Sequence, residues 1–125
     1  MDVVVWIFQF LLAGLFGMLG SLKVIQPKEK ALEMPNMGWV NDFSQTQLRI
    51  IGGLEVLGAI GLILPKLTNI LPFLTPLAAV GLMLTMVGAM LTHLRRKEYP
   101  QIGFNTVLFI LLGITLLGNW YLFTA

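Results

Sequence analysis

The sequence predicts an all-α integral membrane protein that folds as a four-helix bundle, and three observations lead to this class. Hydrophobic residues make up 57% of the chain and charged residues only 11%, whereas about a quarter of the residues in a soluble domain are charged. The mean hydropathy is +0.85. Four apolar stretches are each close to the roughly 20 residues that a helix needs to cross a bilayer. We therefore expect a single transmembrane domain over residues 1–125.

The composition also excludes several classes of function. The net charge of +2 is too small for a nucleic-acid-binding protein, and the basic residues lie in particular loops rather than along one face. The chain has no cysteine, so it forms no disulfide, thiol redox centre, iron–sulfur cluster or thiolate metal site. His93 is the only histidine, which argues against a multi-histidine metal site. We therefore expect no nucleic-acid partner, no metal site and no cofactor held by the chain alone.

The first apolar stretch predicts a helix over residues 3–25. It begins without the basic segment of a signal peptide, and its apolar run is longer than such a peptide has, so we expect it to remain as a spanning helix. Ala13, Gly17 and Ser21 recur at every fourth position, a pattern that lets two helix backbones approach closely in lipid. Lys23 follows near the end of the same helix.

Residues 26–44 form a polar loop, in which proline, asparagine and glycine interrupt a run of charged residues. We expect one short helical turn at residues 28–34. The loop also contains apolar residues with two interpretations: they lie in the interfacial region of the membrane, or they fold back as a cap over the bundle. These residues are Leu32, Met34, Met37, Trp39, Val40 and Phe43.

The second helix is predicted over residues 45–64. Ser44 and Gln47 match a capping box, in which each side chain bonds the backbone N–H of the other residue, and Pro65 is expected to end the helix. Small residues share one face of this helix with a carboxylate, and the face consists of Gly52, Glu55, Gly58, Ala59 and Leu62. Because small residues mark the closest helix contacts, we expect Glu55 to face protein rather than lipid.

The third and fourth helices are predicted over residues 76–94 and 102–123. Thr75 followed by Pro76 is typical of a helix start, with threonine as the cap and proline at the first helical position. Gly88 belongs to a stripe of small and hydroxylated residues that predicts a packing face on the third helix. His93 lies near the end of that helix.

Glu55 is the candidate centre of a functional site. An ionised residue at the middle of a spanning helix costs about 2.5–3.5 kcal/mol, so such residues usually have a partner and mark a site. Lys23 is the best partner, because it emerges at a similar depth from a glycine-lined helix; the alternative is a lysine that extends to the membrane surface. Glu55 also has a structural interpretation, as an ion pair or as a neutral carboxyl hydrogen-bonded between helices.

His93 and Arg49 are the further candidates for ligand binding or proton exchange. Histidine changes charge near neutral pH, so His93 could exchange a proton with Glu55 or bind a quinone carbonyl; alternatively, it complements the helix dipole beside Arg95. Arg49 lies six residues before Glu55, which is about 240° around a helix. That offset favours an interfacial anchor over a direct partner of the carboxylate.

The distribution of basic residues predicts the orientation of the bundle. Seven of the eight lysines and arginines lie in the loops after the first and third helices or at the adjoining helix ends, and the opposite end has only Lys66. The seven are Lys23, Lys28, Lys30, Arg49, Arg95, Arg96 and Lys97. The positive-inside rule then places both loops in the cytoplasm and both termini on the non-cytoplasmic side, and we expect the plasma (inner) membrane as the location.

Four segments carry a resemblance to a known family. They are GSLK at residues 20–23, LRIIGGLEVLGAIGLILP at 48–65, PLA at 76–78 and GAMLTHLRRKE at 88–98. In this order they resemble the DoxX-like family, and the resemblance spans almost the entire chain. It implies a small four-helix membrane protein. The family takes its name from a subunit linked to thiosulfate oxidation with quinone as acceptor, and other members resemble accessory components of membrane oxidoreductase complexes or assembly factors.

Two hypotheses of function from different classes remain open, and neither settles whether the protein is an enzyme. In the first, the protein is a noncatalytic binding, accessory or assembly subunit, whose polar site around Glu55 holds a lipid headgroup or an anionic metabolite, or fixes the bundle. In the second, it is a subunit of a quinone-linked membrane oxidoreductase, in which Lys23, Glu55 and His93 contact a bound quinone. The second needs a quinone or a redox partner, because the chain has no redox-active group of its own. A transporter is a weaker third class, since the helices show no interruption of the kind that marks a substrate site.

The expected partners are membrane lipid and either a second copy of the chain or a membrane oxidoreductase. Once the stripe around Gly52 and Gly58 has packed within the bundle, Gly53 and Gly61 on other faces are expected to remain free for a second protomer.

Overall fold

The computed structural model describes residues 2–124, and within them it contains α-helices and short 3-10 turns but no strand. The predicted fold class, an all-α membrane bundle, is confirmed. The helices are α1 (Asp2–Ile25), α2 (Lys28–Leu32), α3 (Gln45–Thr68), α4 (Leu74–Arg95) and α5 (Tyr99–Gly118), and the 3-10 turns are Gly38–Asp42 and Trp120–Phe123.

Four of these helices, α1, α3, α4 and α5, are long and apolar enough to cross a membrane. The helix α1 packs against α3, α3 against α4 and α4 against α5, and α1 also meets α5, so the four close around a common core. That core is built from Leu12, Phe16, Ala59, Leu62, Ala79, Leu82, Met86, Leu108 and Leu112. Large apolar side chains such as Leu57 and Leu117 are exposed on the outside of the bundle, as expected for a surface that faces lipid.

The helices α1 and α3 approach closely at two glycines. A Cβ added at Gly20 would lie 2.6 Å from the carbonyl oxygen of Gly52, and one added at Gly52 would lie 2.5 Å from the carbonyl oxygen of Gly20. On the same side, a Cβ at Gly17 would lie 3.9 Å from the Cβ of Ala59, and Ser21 is half-buried. Only residues without side chains allow the two backbones to come this close.

Glycine also brings α3 close to α4. A Cβ at Gly58 would lie 2.7 Å from Cδ2 of Leu82, and one at Gly61 would lie 2.8 Å from the Cβ of Ala78. The expectation that Gly61 remains free for a second protomer is therefore wrong, because its face is already covered by α4. Gly88 is exposed, and a Cβ there would meet nothing within 4 Å, so the structure places it outside the close helix contacts.

The polar loop folds back over one end of the bundle. Ala31 of α2, Val40 of the first 3-10 turn and Leu48 of α3 form a second buried cluster, against which Trp39 and Phe43 pack. The structure therefore supports the second interpretation for Trp39, Val40 and Phe43, which form a cap over the bundle. Leu32 and Met34 differ, because their side chains are exposed.

The helix α3 begins as expected but ends later. The capping box is present, with the Ser44 hydroxyl accepting from the backbone N–H of Gln47 and the Gln47 side chain accepting from that of Ser44. Pro65 lies inside the helix, which continues to Thr68 and is capped by Asn69 in the left-handed conformation. The predicted end at residue 64 is therefore wrong, and neighbouring side chains explain why.

Two side chains bond the backbone around Pro65. The Thr75 hydroxyl accepts from the backbone N–H of Lys66 at 3.2 Å, and the Gln9 amide donates to the carbonyl of Leu62 at 2.6 Å. Such partners from adjacent helices are what allow proline inside a membrane helix. Thr75 is thus not the predicted cap of α4, which begins one residue earlier, at Leu74.

The ends of α5 also differ from the prediction. The helix starts at Tyr99 rather than at residue 102, because Pro100 occupies its first turn, where a missing backbone N–H costs nothing. It stops at Gly118, and residues Trp120–Phe123 form a separate 3-10 turn after the buried Asn119.

Candidate functional site

A buried ion pair joins α1 and α3 on the side of the bundle toward the polar loop. Lys23 Nζ donates to Glu55 Oε1, and the glutamate side chain is fully buried while the lysine side chain is 21% exposed. The helices α1 and α3 meet at Gly20 and Gly52. Lys23 lies three positions after Gly20, and Glu55 lies three positions after Gly52. The close backbone approach therefore brings the predicted partners Lys23 and Glu55 together.

Among the buried polar atoms that lack a hydrogen-bond partner within residues 2–124, one belongs to this pair and one to α5. They are Oε2 of Glu55 and Nδ2 of Asn105, on α3 and α5. Both side chains are at least nine-tenths buried, with Glu55 0% and Asn105 6% exposed. A buried polar group without a partner costs about 1–3 kcal/mol, so each of these atoms is a natural point of contact for a bound molecule.

Both side chains line a cavity of about 890 Å³ that opens between the loop and the spanning helices. Its wall is mostly apolar and includes Leu22, Val40 and Met86. Ligand pockets typically have volumes of about 300–1,000 Å³, with apolar walls and a few polar groups that orient the ligand. The cavity thus has the size and the chemistry to hold an amphipathic small molecule or part of a lipid.

Trp39, supplied by the loop, covers the polar side of the cavity. Lys23 Nζ lies 5.7 Å from the centre of the Trp39 ring, within the range of a cation–π contact. The edge of the same ring meets His93, with ring centres 6.0 Å apart. One loop residue therefore contacts both the ion pair and the histidine of α4.

His93 is buried and lines the cavity, but its hydrogen-bond partner is not Glu55. Its Nδ1 lies 2.8 Å from Oε1 of Glu98, and the same oxygen is 3.5 Å from Nε of Arg96. The histidine is therefore oriented by the turn between α4 and α5. The alternative in which His93 and Glu55 exchange a proton directly has no hydrogen bond to support it in this arrangement.

Asp42 fastens the loop to the end of α4. Arg95 Nη2 donates to Oδ2 at 2.9 Å and Arg96 Nη1 donates to Oδ1 at 3.0 Å. The hydrogen bond from Arg95, together with the charge of Arg96, holds the pKa of Asp42 below its ordinary value, although desolvation opposes this. The two arginines, expected to set topology, thus also hold the cap that carries Trp39.

Arg49 is not brought to this site. It is exposed on α3 and does not line the cavity, which agrees with its position about 240° around the helix from Glu55. Of the four predicted site residues, the structure gathers Lys23, Glu55 and His93 around one cavity and leaves Arg49 at the surface. Within residues 2–124, no three histidine or carboxylate side chains are grouped to hold a metal ion.

A second polar cluster, which the sequence analysis missed, lies at the opposite end of the bundle. The fully buried Gln9 accepts at Oε1 from Lys66 Nζ at 3.2 Å and from Asn119 Nδ2 at 3.1 Å. Lys66 also lies over the ring of Trp6, 4.6 Å from its centre. The sequence contains a signal for this cluster, because Gln9, like Glu55, is a polar residue inside an apolar spanning stretch.

Comparison with known protein families gives a match over most of the chain. No curated protein and no solved structure matches the chain. The model of the DoxX-like family matches residues 7–115, which include Lys23, Glu55 and His93 together with the loop that carries Trp39. Since this match extends over most of the sequence and the structure has the four expected spanning helices, the chain belongs to the DoxX-like family.

Proposed function

We propose that the protein is a noncatalytic binding protein of the membrane, acting as an accessory or assembly subunit, whose cavity holds an amphipathic molecule with its polar end at Glu55. One observation carries this proposal. The carboxylate of Glu55 is fully buried, has one oxygen without a partner among residues 2–124, and lines a largely apolar cavity of about 890 Å³.

The hydrogen bonds of the site favour binding over catalysis. Lys23 is engaged by Glu55, and His93 is engaged by Glu98. A general base needs to reach the proton that it abstracts from its substrate. Passing that proton on from His93 to Glu55 would need a hydrogen bond between them, and none joins them within the described residues. The groups that could move a proton are thus held separately, each by its own partner.

Native mass spectrometry of the protein in mild detergent, with extraction and identification of bound molecules, tests the proposal. We expect the wild type to retain an amphipathic molecule and Glu55→Gln to lose it, with the fold preserved by circular dichroism. Asn119→Leu, which changes a buried polar residue at the far end of the bundle, is the control and should keep the molecule. Retention of the same molecule by Glu55→Gln would contradict a site at Glu55.

A quinone is the second candidate occupant, and with it a role in a membrane oxidoreductase. The observation that favours it is the position of His93, Trp39 and Lys23 around one cavity, because an imidazole and an ammonium can contact quinone oxygens and an indole can stack on the ring. Extraction of a quinone from the wild type, together with loss of quinone-dependent turnover of a partner complex in Glu55→Gln, would favour this candidate over the first.

We further propose that the end of the bundle with the polar loop faces the cytoplasm of the cell, with both termini outside and the plasma (inner) membrane as the location. Seven of the eight basic residues at or near this end support the orientation. Because the chain has no cysteine, Lys97→Cys and Thr124→Cys each create a unique label site. An impermeant maleimide added to intact cells should label the second variant and leave the first unlabelled.

We also propose that the protein associates through the outer face of α3 with a second copy or a membrane partner. Gly53 supports this, because a Cβ there would meet no atom within 4 Å, so the helix offers a small residue at its surface. Gly53→Leu should reduce cross-linked dimer or partner in native membranes, while Gly14→Leu, an equally open position on α1, should not.

A further inference from the structure

We infer that the cavity selects neutral amphiphiles whose polar end carries a hydroxyl group, over anionic amphiphiles and over polar ends without a hydrogen-bond donor. This inference rests on the proposed binding function and specifies the class of ligand.

The first step concerns the free oxygen of Glu55. Lys23 Nζ donates to Oε1, and Oε2 has no partner within residues 2–124. Oε2 is a hydrogen-bond acceptor whether the shared proton lies on the lysine nitrogen or on Oε1. A bound molecule satisfies this oxygen only if it brings a donor. An ester, an ether or a ketone brings none.

The second step concerns Asn105, which faces the same cavity from α5. Its Nδ2 is a donor without a partner among the described residues, and its side chain is 6% exposed. It therefore requires an acceptor from the bound molecule. A hydroxyl group supplies both roles, with one O–H to donate and two lone pairs to accept.

The third step concerns charge. Lys23 and Glu55 carry opposite charges, so the pair is neutral as a whole. Lys28, the other lysine that lines the cavity, donates from Nζ to the carbonyl of Phe43 at 2.6 Å. An anionic headgroup at Oε2 would thus meet the Glu55 carboxylate at the oxygen that Lys23 does not contact, while Lys28, although charged, has its ammonium held at the carbonyl of Phe43. Placing like charges together in a poorly solvated site is unfavourable, so the polar end of the ligand is neutral.

The fourth step concerns the rest of the ligand. Apolar side chains from α1, the loop, α4 and α5 form most of the wall, among them Leu22, Phe43, Leu84 and Leu108. Such a wall suits a hydrocarbon chain or ring system. The ligand is then an alcohol, phenol or monoacylglycerol type of molecule, with its chain among these side chains and its polar end at the part of the cavity that Glu55 and Asn105 line.

Three probes built on an unbranched C16 chain test this selectivity: hexadecanol, hexadecyl methyl ether and hexadecanoate. Each competes against radiolabelled hexadecanol for the purified full-length protein in detergent micelles. One hydrogen bond to a charged group corresponds to about a tenfold difference in affinity or more. We expect hexadecanol to bind at least about tenfold more tightly than either other probe.

Two variants identify the groups responsible. In Glu55→Gln, the amide oxygen stays with Lys23 and the amide nitrogen, a donor, replaces the free oxygen. The alcohol should therefore bind as weakly as the ether, a preference of about onefold, whereas hexadecanoate should gain affinity because Lys23 is no longer neutralised. Asn105→Leu should weaken both the alcohol and the ether. Asn119→Leu, the same change outside the cavity, should leave the ranking of the three probes unchanged.

The results separate this inference from the proposed function. Equal binding of alcohol and ether to the wild type, or tightest binding of hexadecanoate, would overturn the selectivity while leaving a binding cavity in place. Binding of none of the three probes would overturn the inference as well, and the identity of the molecule that copurifies with the wild type would then decide the proposed function separately.

Discussion

Gly20 and Gly52 face each other where α1 crosses α3, so closely that a side chain on either would meet the backbone of the other. An added Cβ would lie 2.6 Å from the opposing carbonyl oxygen in one case and 2.5 Å in the other. Because Lys23 and Glu55 each follow by three residues, this crossing sets the position of the ion pair. The ion pair thus depends on a backbone contact that lies one helical turn away from it.

Gly52→Ala should destabilise the protein, because the new methyl group overlaps a carbonyl oxygen that cannot move without separating the two helices. We expect a loss of about 1–3 kcal/mol in the free energy of unfolding, measured by denaturant titration in detergent micelles. Gly53→Ala is the matched control, since a Cβ there meets nothing within 4 Å. Equal stability of the two variants would refute the close crossing.

Lys23→Met should be strongly destabilising, because it leaves the carboxylate of Glu55 buried without its partner. Removing one member of a buried ion pair costs about 3–5 kcal/mol. Adding Glu55→Gln should restore most of the loss, since no uncompensated charge then remains. Lys30→Met, on the exposed surface of α2, serves as the control and should stay close to the wild type. Additive effects of the two substitutions would show that Lys23 and Glu55 do not interact.

The buried position of Glu55 could be predicted from the sequence, but the position of Trp39 over the cavity could not. Gly52, Glu55, Ala59 and Leu62 are all buried on one face of α3, as their spacing predicts. The sequence around Trp39 indicates only an apolar loop residue with two interpretations. Its place over the cavity depends on contacts between distant parts of the chain, which no local pattern encodes.

The helix ends show the same division between local and tertiary information. The capping box at Ser44 is a local pattern and is present as predicted. Pro65 is also a local signal, yet the helix continues past it because Gln9 and Thr75 bond the nearby backbone. Those partners come from other helices, so the sequence around Pro65 does not reveal them.

The loop should detach from α4 at low pH. The pKa of Asp42 in the folded protein lies below its ordinary value, so the contacts of its carboxylate stabilise the folded loop fully above the ordinary pKa of an aspartate. This stability is lost as the pH falls through the lower pKa of the folded state. The protection factors of residues 38–42 in hydrogen exchange, which correct for the intrinsic pH dependence of exchange, should fall over that range. Asp42→Asn should show low protection at every pH, and a pH profile of protection like that of the wild type in this variant would rule out Asp42 as the titrating group.

Gln9→Leu should destabilise the opposite end of the bundle. The substitution removes the acceptor of Lys66 and Asn119 and the donor to the Leu62 carbonyl, so buried polar groups lose their partners. We expect a loss of about 1–3 kcal/mol in the free energy of unfolding. Gln26→Leu, at a half-buried glutamine outside this cluster, should have little effect. Probe binding at Glu55 should be unchanged in Gln9→Leu provided that the variant is folded.

Filling the cavity tests the central claim most directly. Gly88 lines the cavity and Gly103 does not, and a Cβ at either position meets nothing within 4 Å. Gly88→Phe therefore adds a ring to the cavity wall, while Gly103→Phe adds one to the outer surface. By native mass spectrometry we expect the first variant to lose the bound amphiphile and the second to keep it at the wild-type level. Equal retention by both folded variants would contradict a binding site in this cavity.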